Sequence, residues 1–139
     1  MKFPTGFYKA TESYNTYEKH VNAPFLRYET CKKTDCKTFI TVSGLGFYDI
    51  FVNGKKITKG LLAPYISNPN HFVYYDIYDL TSLLIKGDNA ISVILGCGWL
   101  NPLGGATWGF TNADWRSSER LSLVLVIINF PFFSTIETI

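Results

Sequence analysis

Phe47-Tyr-Asp-Ile-Phe-Val52, followed by Asn53-Gly54 and Lys55-Lys-Ile-Thr58, decides the fold class. Aromatic and β-branched side chains dominate the first run, a composition that suits a pleated, half-buried strand. Asn-Gly between two strand-like runs is the strongest short hairpin signal, because both turn residues must tolerate positive φ. A hairpin is therefore expected here, returning through Lys55 to Thr58. Upstream, Lys37 to Ser43 is a second β-rich run ended by Gly44-Leu-Gly46, and Pro24 to Thr30 is an extended segment closed by the polar turn Lys32-Lys-Thr-Asp35.

Downstream the same texture continues. Leu61 to Asn70, punctuated by Pro64, Asn68, Pro69 and Asn70, reads as a long loop, and Phe72 to Tyr78 as a strand. Asp79 to Ile85 begins with a helix N-cap residue, carries an apolar cluster and stops at Gly87, which suits one helical turn or two. Ala90 to Leu95 is a strand, Gly96 to Arg116 a long loop holding all three tryptophans, Ser117 to Asn129 the last strong strand, and Ser134 to Ile139 the start of another. Short strands, turn-rich joints and almost no helical period argue an antiparallel all-β sandwich with one short helix. Residues 1 to 22 are polar and Tyr-rich without period and read as an N-terminal arm, leaving 23 to 139 as the sandwich domain.

Composition agrees with one folded domain. The chain has 139 residues, 47% hydrophobic, 17% aromatic and 17% charged, which excludes disorder and suffices for a core without staples. Thirteen Lys and Arg against eleven Asp and Glu give a net charge of +2, no electrostatic footprint for nucleic acid or an anionic membrane. The longest greasy stretch, Leu121 to Phe133, is interrupted by Ser122, Asn129 and Pro131 and is too short for a bilayer-spanning helix. The N-terminus lacks a secretory h-region, so the chain reads either as a mature one or as one that stays inside; the compartment is open. Cys31, Cys36 and Cys97 read as free buried thiols, with a local Cys31 to Cys36 bridge as the alternative, and with His20 and His71 they lack zinc spacing.

Several pieces together resemble one family. Ser43-Gly-Leu-Gly-Phe-Tyr48, Phe51-Val-Asn-Gly-Lys-Lys-Ile57, Leu62-Ala-Pro64, Tyr75-Asp-Ile-Tyr-Asp-Leu-Thr81, Lys86-Gly-Asp-Asn89 and Leu95-Gly-Cys-Gly-Trp99 are similar to the N-terminal domain of bacterial α-L-rhamnosidases, in order and spacing, over residues 23 to 139. Part of the set also resembles the sandwich preceding the core of β-galactosidases and β-glucuronidases. The resemblance implies a galactose-binding-like jelly roll ahead of a catalytic helical barrel. It also implies a chain without the family's catalytic residues, lacking the C-terminal strands of its sandwich and having the parent enzyme's catalytic domain as partner.

Candidate chemistry follows. Glycoside hydrolysis by the common route needs two carboxylates flanking one sugar. None of the Asp or Glu sits in a motif marking such a pair; Asp76 and Asp79 read as capping groups, so no catalytic residue is expected. Sugars stack on aromatic faces and need fixed polar partners. The loop from Gly98 through Trp115 holds both, which makes carbohydrate the expected ligand, with Trp99 or Trp108 as stacking wall and the Asn101 amide as hydroxyl partner. The competing reading has Trp99 plugging the sandwich end and Trp108 and Trp115 packing the loop. Some relatives of this domain bind rhamnose with calcium, and Asn112 and Asp114 could ligate it through oxygen, but no full ligand set is present and no metal or cofactor is assigned. Finally, Leu121 to Ile128 is apolar at every position but Ser122 and asks for cover on both faces, so a homo-oligomer, most simply a two-fold dimer, is expected.

Overall fold

A computed structural model describes residues 6–9, 21–68, 70–101, 120–129 and 133–138. Its strands are β1 (Phe25–Lys32), β2 (Lys37–Leu45), β3 (Phe47–Val52), β4 (Lys55–Lys56), β5 (Asp76–Asp79), β6 (Gly87–Gly96), β7 (Arg120–Asn129) and β8 (Phe133–Thr138). They form two four-stranded sheets, ordered β1-β6-β3-β4 and β5-β2-β7-β8. Every pairing is antiparallel. The chain changes sheet at each connection except the β3–β4 and β7–β8 hairpins, and this repeated crossing makes the sandwich a jelly roll.

The expected hairpin forms as the Asn-Gly turn dictates. Asn53 and Gly54 have φ of 50° and 81°, and Val52 pairs with Lys55. The return strand is only two residues long, after which Thr58 turns to Asp49 on β3. At the other end of β3 a single residue, Gly46 with φ of 98°, carries the chain from β2 into the opposite sheet.

Inward-facing alternation builds the core. Ile40 and Val42 of β2 meet Tyr48, Ile50 and Val52 of β3 and Ile91, Val93 and Leu95 of β6, all buried in one cluster. Leu80 and Leu84 join this cluster from the segment expected to be helical. That segment closes only one turn, with Leu84 N–H donating to Leu80 O at 3.0 Å. The next helical bond would run from Ile85 N–H to Thr81 O, but both groups are taken: Asn89 Oδ1 accepts from Ile85 N–H, and Lys32 Nζ donates to Thr81 O. The one helix among the described residues is instead a 3-10 turn, Gly98–Leu100, in the stretch read as loop.

The strand expected over Phe72 to Tyr78 begins later, at Asp76. Its partner β2 offers ladder positions only from Phe39 to Val42. One residue on, it is the Ser43 hydroxyl that donates to Tyr74 O, at 2.9 Å, so residues before Asp76 are held by a side chain rather than a ladder. No described helix is long and apolar enough to cross a membrane.

Candidate functional site

Gly46 delivers Phe47 to the start of β3, and two loops are fixed around it. Tyr48 N–H donates to Ala63 O at 2.9 Å, an isolated β-bridge that holds Leu62 and Pro64 against the strand. Tyr74 is pinned by Ser43 and stands edge-on to Tyr65 (centroids 6.4 Å apart) and Phe72 (5.4 Å). Gly98, with φ of 53°, lies so close to Phe47 that an added Cβ would sit 3.2 Å from its ring and backbone nitrogen, and this approach sets Trp99 beside Phe47. Phe47, Leu62, Pro64, Tyr65, Ile66, Tyr74 and Trp99 thus line one open cleft of about 610 Å³. Trp99 is 46% exposed and Tyr65 82%, so aromatic faces are presented to solvent.

Of the expected sugar contacts, Trp99 lies in this cleft. Asn101 is buried, 0% exposed, and engaged within the protein. Trp108, like Trp115, Asn112 and Asp114, lies outside the described residues. The sequence reading missed Tyr65, Ile66 and Tyr74. The signal was a Pro/Asn-rich loop carrying Leu61, Leu62, Tyr65 and Ile66, more apolar surface than a connection needs.

A polar constellation sits nearby. The Tyr48 hydroxyl, on one sheet, donates to Asp76 Oδ2, on the other, and Tyr78 is hydrogen-bonded to Tyr48. Burial pushes the Tyr48 phenol far above its ordinary range, and the bond to Asp76 adds to this. Burial likewise raises Tyr78. Both phenols hold their protons at neutral pH and serve as neutral cross-links, unsuited to act as bases. Burial also pushes Asp49 up, but Lys56 Nζ at 2.8 Å and Thr58 Oγ1 at 2.7 Å outweigh it and leave the carboxyl below its usual range. Asp79 is lowered by Thr81, whose backbone N–H it accepts at 2.8 Å, the capping role its position suggested.

No group of three or more His, Cys, Asp or Glu among the described residues could hold a metal. His71 is exposed, and Cys31, Cys36 and Cys97 form no disulfide, but Cys31 is exposed and the other two half-buried, which corrects the expectation of buried thiols. Cys31 stands on the outward face of edge strand β1, where alternation places Phe25, Arg27 and Glu29 beside it.

An antiparallel jelly roll whose loops build an aromatic cleft at the start of β3 defines a β-sandwich module. The chain belongs to the α-L-rhamnosidase N-terminal domain family, whose model matches residues 33–130. It is similar to an α-L-rhamnosidase of Formosa agariphila, 42% identical over 60 residues that make up 43% of this chain and 6% of that protein. Among solved structures it resembles the α-L-rhamnosidase of Aspergillus terreus, with TM-score 0.73 and 21% identity over 99% of this chain and 15% of that one. The Streptomyces avermitilis α-L-rhamnosidase complexed with L-rhamnose gives TM-score 0.70 and 24% identity over 84% of this chain and 11% of that one. The chain therefore spans a small fraction of the relatives it matches.

Proposed function

We propose that the chain is a non-catalytic sandwich module of an α-L-rhamnosidase-like glycoside hydrolase, one that packs against the catalytic part and contacts rhamnose-containing glycans at the Trp99 cleft. The observation carrying this reading is how three carboxylates among the described residues are used. Asp49 is committed to Lys56 and Thr58, Asp76 to Tyr48, and Asp79 to the Thr81 N–H. A glycosidase pair needs one free acid and one free base facing each other across a sugar. These three are instead tied up in holding strands and turns together. Outside the cleft, the exposed apolar side chains of Leu61 and Phe72 support a surface that packs against something larger.

Incubation of the purified chain with an aryl α-L-rhamnoside tests the reading. Release of the aryl group is expected to equal that in buffer. Turnover that disappears when a residue of this chain is substituted would overturn it.

A further inference from the structure

We infer that Asn53-Gly54, the turn of the β3–β4 hairpin, is a deamidation site that the fold guards, and that its acidic product cannot re-form the contacts that guarded it. Of the asparagines in the chain, only Asn53 precedes a glycine. Glycine carries no side chain to shield the backbone nitrogen that follows the amide, so a freely moving Asn-Gly pair is open to attack by its own main chain. Gly54 N forms a bond to Asn53 Cγ, the Cγ–Nδ2 bond breaks, and Nδ2 leaves as ammonia with the proton from the Gly54 N–H. Water then opens the cyclic imide. Addition at Cγ gives aspartate, whereas addition at the main-chain carbonyl gives isoaspartate, in which the backbone runs through Cγ and gains one atom. The sum is amide plus water to acid plus ammonia, with nothing oxidised or reduced.

In the folded chain the amide is tied to other elements. Asn53 Oδ1 accepts from Ala90 N–H at 2.9 Å, and Nδ2 donates to Asn89 Oδ1 at 2.9 Å and to Leu83 O at 3.4 Å. Asn53 N–H donates to Ala90 O at 2.8 Å. With φ held at 50° by the turn, the side chain is drawn towards β6 and the turn after Asp79, and swinging Cγ round to Gly54 N breaks these bonds. The partner amide is as fully committed. Asn89 is buried, its Nδ2 donates to Ile85 O and Gly87 O at 2.8 Å each, and its Oδ1 also accepts from Ile85 N–H at 2.9 Å. It cannot turn over to offer a proton without losing all three. Oxygen in place of Asn53 Nδ2 therefore puts an acceptor 2.9 Å from Asn89 Oδ1 and 3.4 Å from Leu83 O, acceptor against acceptor. The longer backbone of isoaspartate spoils the two-residue loop that sets the hairpin register. Either product loosens the hairpin from β6 and from the turn whose Leu80 and Leu84 enter the core. The site works in one direction: unfolding frees the amide for attack, and the product no longer closes.

The test incubates the full chain at mildly alkaline pH, native and in urea, and follows residue 53 by peptide mapping with mass spectrometry, separating aspartate from isoaspartate by chromatography. Conversion in urea is expected to run about tenfold faster or more than in the native chain, since attack from the folded state waits on local opening. Asn53→Asp, the aspartate product made directly, keeps the size of the side chain and is expected to melt several degrees below the wild type. Asn53→Gly tolerates the positive φ and removes the amide without adding an acceptor, so it is expected to melt between the two.

No conversion in urea would overturn the site itself, and equal conversion in the native and urea-treated chains would overturn the guard. Asn53→Asp melting with the wild type, or no lower than Asn53→Gly, would overturn the clash of acceptors. Should neither variant fold, the wild-type chain aged in urea and returned to buffer decides. Loss of the folded signal in proportion to conversion at residue 53 supports the one-way site, and wild-type melting by the converted chain overturns it.

Discussion

Asp49 shows how a single side chain is tuned by the turn that follows it. It sits on β3, and the Asn-Gly hairpin swings Lys56 and Thr58 back to its two oxygens. Burial alone would raise its pKa above the ordinary carboxyl range, yet the hydrogen bonds from Lys56 and Thr58 and the charge of Lys56 lower it. A carboxyl whose folded pKa lies below its unfolded one stabilises the fold above the unfolded value, and that contribution is lost as pH falls through the folded one. Asp49→Asn is therefore expected to lower stability at pH 7 by under about 1 kcal/mol, since the pair is partly solvent-screened. As the pH falls through the lowered folded pKa and the wild-type carboxyl takes up a proton, the difference between the two proteins shrinks towards zero. Urea unfolding at pH 7 and through the acid range measures it. A difference that persists undiminished in acid would mean the contribution is packing and not charge.

Between elements the tightest constraint is where β2 and β3 cross. Gly44 of β2 faces Tyr48 of β3, and an added Cβ would lie 2.5 Å from the Tyr48 ring. The ring has no room to yield, because it is buried and its hydroxyl is tethered to Asp76 on the opposite sheet. Gly44→Ala is expected to cost about 1 to 3 kcal/mol through overpacking, read as a melting temperature several degrees lower. An unchanged melting temperature would show that the sheets can separate locally without penalty. At this scale the sequence was legible where the cause was local. The Asn53-Gly54 hairpin needs only two residues that tolerate positive φ, and Gly46 only one. It was illegible where the cause was distant: the helical turn after Asp79 stops where Lys32 of β1, 49 residues away, donates to Thr81 O while Asn89, four residues on, takes the Ile85 N–H. The same holds for the cleft. Trp99 was legible as an exposed aromatic beside glycines, but Tyr65 and Tyr74 reach it only through the bridge of Tyr48 to Ala63 and the bond of Ser43 to Tyr74. Asn101 looked available because nothing in its neighbours announces burial.

For the molecule as a whole, the open edges of the two sheets are where pairing with a second copy is expected. Among the described residues β1 and β8 are long edge strands, each paired on one side only, while β7 lies between β2 and β8 and has partners on both. β1 is protected, since Arg27 and Glu29 place charges along its outward face, and charged edges resist pairing. β8 reads Phe-Ser-Thr-Ile-Glu-Thr, with Glu137 its one charge and β-formers at most other positions. It is the better template for another strand, and antiparallel pairing of two β8 edges about a two-fold axis would join the β5-β2-β7-β8 sheets of two copies into one. Light scattering at micromolar concentration is expected to give a mass that rises towards a dimer with concentration. Ile136→Lys, which puts a second charge on the β8 edge, is expected to shift it back to monomer while circular dichroism stays unchanged. A wild-type monomer with no concentration dependence would mean that β8 is covered within the chain itself, and dimerisation insensitive to Ile136→Lys would move the interface to another surface, with the apolar loop around Tyr65 the first to test.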